Sequence, residues 1–125
     1  MIVIQNSLKD DWIKTQLKAR ENEFTEEHQL RVVVGTWNVN SKVPKQSLAS
    51  WLRLDKYEAD IYVIGLQEID MTAGALLREE TEQGIAWSNR FDETFSMTES
   101  KYYQVAARQL VGIYHVVYIH EKHRN

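Results

Sequence analysis

Between Leu30 and Val39 apolar side chains follow one another with almost no polar interruption: Leu30, Val32, Val33, Val34, Trp37 and Val39. A run so rich in β-branched residues predicts a strand buried on both faces, as the strands of parallel sheets are. Turn residues from Ser41 to Pro44 break the run. Pro44 stands where a helix can begin, and Leu48, Trp51, Leu52 and Leu54 follow near helical spacing, so an amphipathic crossover helix is expected. Asp60 then opens Ile61-Tyr62-Val63-Ile64-Gly65-Leu66, a second buried strand that stops at Gln67-Glu68. Strand, helix and strand within about 40 residues predict a parallel βαβ unit.

The flanking segments are less regular. Ser7 to about Glu27 is rich in helix formers, but Leu8, Trp12, Ile13, Leu17 and Phe24 make only a weak stripe. Residues 1–29 are expected to be a helical lead-in or linker packed against something else, without chemistry of its own. Two helical pieces, Ala73–Glu82 and Ile85–Phe95, are expected after Glu68, separated by Gly84. Tyr102–Arg108 and Leu110–His120 are both β-rich and nearly contiguous, which predicts a tight antiparallel hairpin with a bulge or close backbone approach at Gly112. Glu121 to Asn125 looks like a loop. Residues 30–125 therefore form the main unit.

Composition narrows the classes of function. A chain of 125 residues, 43% hydrophobic and 26% charged, is globular in character and amounts to one domain or part of one. It has no cysteine, so any metal would need oxygen or imidazole ligands, and a reducing, cytoplasmic setting is expected. No apolar run approaches the ~20 residues of a membrane span. The net charge of −3 argues against a general nucleic-acid binder, which usually carries a basic footprint. Residues 67–100 hold eight of the 18 acidic groups against two basic ones, which raises the question of whether any of these carboxylates serves a cation. Most fit the solvated face of a helix; Glu68 and Asp70 are less easily read that way.

Parallel pairing gives two residues a shared position. Asn38, near the end of the first strand, and Glu68, at the end of the second, emerge on one sheet edge, where open α/β sheets bind ligands. Neighbouring strands lie ~4.8 Å apart, so the two side chains can face one cation or phosphate. A carboxylate closing an apolar run suits a hard cation such as Mg2+, which takes few protein carboxylates and fills its shell with water and phosphate oxygens. Asn38 adds hydrogen bonds without adding charge. The same two residues also read as a turn cap and a surface loop carboxylate.

The wording of the strand ends carries further weight. Gly35-Thr36-Trp37-Asn38-Val39-Asn40 and Asp60-Ile61-Tyr62-Val63-Ile64-Gly65-Leu66-Gln67-Glu68-Ile69 resemble the first two motif segments of the inositol polyphosphate 5-phosphatases. Glu21-Asn22-Glu23-Phe24-Thr25, the stretch from Ser47 to Leu52, and Arg108-Gln109-Leu110-Val111-Gly112-Ile113 add to the likeness, which is closest to the type II and oculocerebrorenal-syndrome branch. The resemblance implies the α/β sandwich of DNase I-like proteins in the endonuclease/exonuclease/phosphatase superfamily, here its N-terminal part only: a βαβ unit, a helical segment and a β-hairpin.

By that resemblance Glu68 is a Mg2+ ligand, Asn38 an active-site amide near metal and scissile phosphate, and Gln67 a support for Glu68. Met71, Leu76 and Leu77, with Ala75, would form an apolar loop near acyl chains, although they can equally pack beneath a helix. The implied substrate is a phosphoinositide or inositol phosphate, with contact to a membrane surface and no nucleic acid. Ser41 departs from the family, where glycine is common. The family's later motifs, which supply the general base, a phosphoryl-stabilising histidine and ring-phosphate clamps, do not occur in this chain. His28, His115, His120 and His123 are expected to be packed or surface residues rather than substitutes. The 125 residues alone are therefore expected to be inactive, to bind metal poorly and to aggregate through an uncovered sheet face. A superfamily nuclease segment and a non-catalytic binding or regulatory module are the competing readings.

Overall fold

The computed structural model describes residues 2–124, and in the first helix the side chains from Asn6 onward. One four-stranded sheet organises the chain. Its strands are β1 (Val32–Asn38), β2 (Ile61–Gln67), β3 (Tyr102–Leu110) and β4 (Ile113–His120), in the order β1-β2-β4-β3. β1 pairs parallel with β2 from Val32 against Ile61 to Asn38 against Gln67, while β4 runs antiparallel to both β2 and β3. The expected parallel unit and the expected hairpin are both present.

Alternation along β2 decides which face becomes the core. Tyr62, Ile64 and Leu66 are buried, and their partners across the ladder, Tyr118, Val116 and Tyr114, are buried with them. Helix α2 (Glu82–Ser96) lays Trp87, Phe91 and Phe95 on that face, and Phe95 stacks on Tyr118 with ring centroids 4.1 Å apart. Leu48, Leu52 and Ile69 close the cluster from the connecting segments. The start of α2 is fixed from β3: the Gln109 side-chain amide accepts from Thr81 N at 3.0 Å and donates to Thr81 Oγ1 at 2.9 Å, while Thr81 caps Gly84. A Cβ on Gly84 would stand 2.1 Å from Gln109 Oε1. Gly84 lies in the first turn of one helix instead of separating two, and glycine is needed there because Gln109 occupies the space a side chain would take. The same bonds draw Gln109 into β3, and the hairpin turn falls two residues later, at Val111-Gly112. The register shift in the hairpin lies between Gln104 and Ala106, away from Gly112.

Four other expectations are corrected. The crossover from β1 to β2 is a run of turns and not a helix. Leu52 N bonds to Leu48 O, and then Arg53 N to Ser50 O and Leu54 N to Ala49 O close a Schellman termination around Arg53, whose φ is 56. One helical turn is thus stopped as soon as Leu48 and Leu52 have been buried. Ala73–Leu77 is a short 3-10 segment that does not extend to Glu82, since only Ala75 finds burial and nothing rewards propagation. The lead-in is helical as expected but its helix, α1 (Ile2–Ala19), begins and ends earlier in the chain and is followed by a 3-10 turn at Glu21–Glu23. Its Leu8, Trp12 and Leu17 are exposed, so the expected packing is not seen among the described residues. No helix among the described residues is long and apolar enough to cross a membrane. Finally, β1 is an edge strand and not buried on both faces: Val33 packs partly buried against the core, but Val32 is 48% and Val34 72% exposed. Val32, Val34, Ile61, Val63, Val117 and Ile119 lie on the sheet face opposite α2, which no described residue covers.

The opposite edge of the sheet is tied down by one carboxylate. Asp60, 7% exposed, accepts from Arg31 N at 2.7 Å and holds Lys122 Nζ at 2.5 Å and His123 Nε2 at 2.7 Å. The segment after β4, a 3-10 turn at Glu121–His123 and not a plain loop, is thereby fastened to the start of β2. The Lys122 hydrogen bond, followed by those of His123 and the Arg31 amide, holds the Asp60 carboxyl well below the usual carboxylate range.

Two outcomes follow for the isolated chain. Val105, 52% exposed, sits at the register shift beside Ala106, whose partner Val117 is on the uncovered face. V34E/V105E should therefore shift the chain from aggregate to monomer in size-exclusion chromatography with light scattering, because charge on an uncovered apolar face opposes sheet-to-sheet association. A depressed carboxyl contributes stability above its unfolded value, ~3.9, and loses it as pH falls below that toward the folded value. D60N should therefore melt lower than wild type at pH 7 and show a shallower fall in Tm on acidification below about pH 4.

Candidate active site at the strand ends

Register brings the candidate residues to one edge. Asn38 stands directly opposite Gln67, and residues paired in register share a face, so Thr36, Asn38, Gln67 and His115 lie on the side of the sheet away from α2. Gln67 Nε2 donates to Thr36 Oγ1 at 3.0 Å and to Gly65 O at 3.3 Å, which fixes its side chain across the two strands. The His115 imidazole lies over Gly65, with Cε1 3.4 Å from where a Cβ would project. Asn38 Oδ1 accepts from Asn40 N at 3.1 Å, which orients the carboxamide and leaves its NH2 group exposed.

Glu68 follows immediately, half-buried, and its carboxylate takes no hydrogen bond or ion pair from the described residues. Its backbone is held from three directions. Val39 N donates to Gln67 O at 2.9 Å, Ser41 N to Glu68 O at 2.6 Å, and Ile69 N to Gly112 O at 3.0 Å. Glu68 has φ 55 as a result, and Asn40 and Ser41 facing it have φ 49 and 56. Left-handed backbone costs a residue with a Cβ ~1–2 kcal/mol, and such conformations persist where surrounding bonds over-determine them. Asparagine tolerates this region; glutamate and serine gain nothing local from it.

The hairpin tip supplies the third support. A Cβ on Gly112 would meet Met71 Sδ at 3.0 Å, Asp70 O at 3.3 Å and Glu68 Cα at 3.6 Å, so the close approach expected at this glycine is real and is directed at the Glu68 loop. Asp70, although buried, is not free for a ligand: its Oδ1 accepts from Thr72 N at 2.9 Å and Thr72 Oγ1 at 2.7 Å. The Thr72 hydroxyl and then its amide hold the Asp70 carboxyl below its ordinary value. Beyond it, Met71 is 64%, Leu76 69% and Leu77 89% exposed, while Ala75 is buried. The loop presents its large apolar side chains outward instead of packing them beneath a helix.

Sequence reasoning missed Thr36 and His115 as neighbours of Gln67. Their parity along the strands was readable, but the partner of each depended on the antiparallel register of β4. For a metal, Glu68 fits as one hard oxygen donor that nothing else engages. Among the described residues no group of three or more His, Asp or Glu is placed to hold an ion, so one carboxylate and one amide are what this segment offers. His123 is engaged by Asp60 at the far end of the sheet, and His28 is exposed.

Known proteins resemble this chain over most of its length. Residues 35–125 match the family described as Endonuclease/Exonuclease/phosphatase family 2. The type II inositol 1,4,5-trisphosphate 5-phosphatase of Mus musculus is 31% identical over 93% of this chain, and the polyphosphatidylinositol phosphatase INP53 of Saccharomyces cerevisiae 27% identical over 83%. The chain spans only 12% and 10% of those relatives' lengths. Among solved structures, the inositol polyphosphate 5-phosphatase domain of SpSynaptojanin, in complex with inositol (1,4)-bisphosphate and calcium ion, superposes with a TM-score of 0.69 at 27% identity. The match covers 90% of this chain and 33% of that one. A Cimex nitrophorin in its ferrous NO complex superposes at 0.59 with 20% identity, a likeness of fold alone.

The strain at position 68 makes a test of whether the carboxylate is kept at a cost. Glu68→Gly should be more stable than Glu68→Ala by ~1 kcal/mol in chemical denaturation, because glycine alone relieves the positive φ. Equal stabilities would show that the backbone there is not strained.

Proposed function

Because the chain belongs to the Endonuclease/Exonuclease/phosphatase family 2, we propose that residues 30–125 contribute the metal-ligand carboxylate and a phosphate-facing amide to Mg2+-dependent hydrolysis of the 5-phosphate of phosphoinositides or inositol polyphosphates. Residues 1–29 precede this unit as a lead-in. The observation that carries the reading is the strand-end geometry: Asn38 opposite Gln67, with the unengaged Glu68 carboxylate next in the chain on a strained backbone. The named relatives, which are phosphatases of inositol phosphates and polyphosphatidylinositol, support the substrate class.

In this reading Glu68 is the ligand and its neighbours position it. Gln67, tied to Thr36, keeps the end of β2 in register. Gly112 lets the hairpin tip close on the loop. The Asn38 NH2 group donates to an oxygen of the scissile phosphate, and because the amide is neutral it adds no repulsion toward either Glu68 or the substrate. A hard divalent cation such as Mg2+, when bound, offsets charge on the phosphate and its leaving oxygen. Met71, Leu76 and Leu77 face outward where the acyl region of a membrane-bound substrate would lie, which makes the protein a peripheral visitor to membranes.

The segment on its own is a scaffold. One carboxylate and one amide leave most octahedral positions to water and offer no general base, so the 125 residues by themselves should release no phosphate. The competing nuclease reading has against it the net charge of −3 and the chemistry named for the relatives.

Grafting tests the assignment. Residues 30–125 replacing the matching third of the synaptojanin phosphatase domain should yield a chimera that releases phosphate from phosphatidylinositol bisphosphate vesicles in Mg2+. In that chimera E68Q should lower kcat by about 100–1,000-fold, the loss typical of removing one preorganised electrostatic group. A folded, active chimera indifferent to E68Q, or one that cuts DNA and spares the lipid, would overturn the proposal.

A further inference from the structure

On the α2 side of the sheet, beside the end of β1, an open groove of about 800 Å3 remains outside the site described above. Three tryptophans build its floor. Trp37, 44% exposed, lies 5.4 Å from Trp51 and 5.8 Å, edge-on, from the buried Trp87. Trp51 is seated over Gly35, where a Cβ would approach its ring to 3.0 Å, so the absent side chain is what lets the indole lie close against β1. Trp87 Nε1 donates to Lys42 O at 3.2 Å and anchors the facing wall, the irregular segment from Lys42 to Ser47 with a bend at Gln46.

That wall has two properties that select an occupant. Its charged residues are Lys42 and Lys45, both exposed, and no carboxylate lines the groove, although the chain as a whole carries a net charge of −3. Its backbone is also unspent: from Val43 to Ser47 no main-chain N–H or C=O is hydrogen-bonded within the described residues. Extended peptides are recognised by this combination, main-chain groups along one side and an aromatic trough for a proline or ring on the other. Two lysines are too few for a nucleic-acid track on an acidic protein. A small ligand would find no enclosing walls.

We propose that this groove docks an extended acidic peptide carrying a proline or an aromatic residue. The apolar residue packs on the exposed Trp37 indole beside Trp51, flanking carboxylates face Lys42 and Lys45, and the peptide backbone pairs with residues 43–47. The site borders the Glu68 loop through Ser41 but does not use the Glu68 carboxylate, and it does not require the phosphatase reading.

Random peptides displayed on phage and selected on the V34E/V105E chain, whose apolar sheet face is blocked, provide the test. The expected result is enrichment of sequences with two or more Asp or Glu flanking Pro, Phe, Tyr or Trp. Synthetic peptides of that kind should bind about tenfold or more weakly to K42E/K45E, since two rim attractions become repulsions. W51A should also weaken binding. Because losing Trp51 can disturb the fold, the two solvent-exposed lysines are the deciding variant, with circular dichroism confirming that they leave the fold intact. Absence of enrichment, selection of basic peptides, affinity unchanged in K42E/K45E, or displacement of the peptide by oligothymidylate would each overturn the proposal.

Discussion

The parallel ladder between β1 and β2 is the constraint on which the rest of the structure depends. Seven residue pairs, from Val32 with Ile61 to Asn38 with Gln67, make both strands end together. Everything proposed for the active edge requires that coincidence. The ladder is stabilised from the other side of β2, where β4 supplies Tyr114, Val116 and Tyr118 beneath α2. A strand hydrogen-bonded on both sides and buried on one face cannot slip by one residue without turning Tyr62, Ile64 and Leu66 outward.

Rigid strands with a strained loop between them are an economical way to hold a carboxylate in place. The ladder ends, the chain must turn, and the left-handed conformations of Asn40, Ser41 and Glu68 absorb the turn. Gly112 and the Ile69 bond to it hold the far side. The side chain of Glu68 thereby gains a fixed origin while taking no partner among the described residues, the state a ligand for a cation needs. Asp70, two residues on, shows the contrary case, a buried carboxylate already satisfied by Thr72.

The two faces of the sheet differ in what they still lack. The face under α2 carries the core, and the tryptophan groove beside it has a wall that displays unpaired backbone and positive charge. The other face is apolar toward the start of β1 and polar toward its end, where Thr36, Asn38, Gln67 and His115 gather.

Which segments become strands, and that Asn38 and Glu68 end two of them, was legible in the sequence, because runs of β-branched and aromatic residues bounded by polar ones are local information. The helical expectations for Pro44 to Leu54 and Ala73 to Glu82 failed for a non-local reason. Their apolar spacing suits a helix, but Leu48 and Leu52 are buried within one turn, and Leu76 and Leu77 are never buried at all. Burial depends on what lies opposite, and spacing along a chain cannot report it. In the same way, the placement of Gly84 and Gln109, the shift of the hairpin turn to Val111-Gly112, the proximity of His115 to Gln67 and the positive φ of Glu68 were decided only when distant strands came into register. The sequence by itself determined the periodic elements and the chemistry at their ends; tertiary structure decided which faces are covered and which backbone bends, since both are set by contacts between residues far apart in the chain.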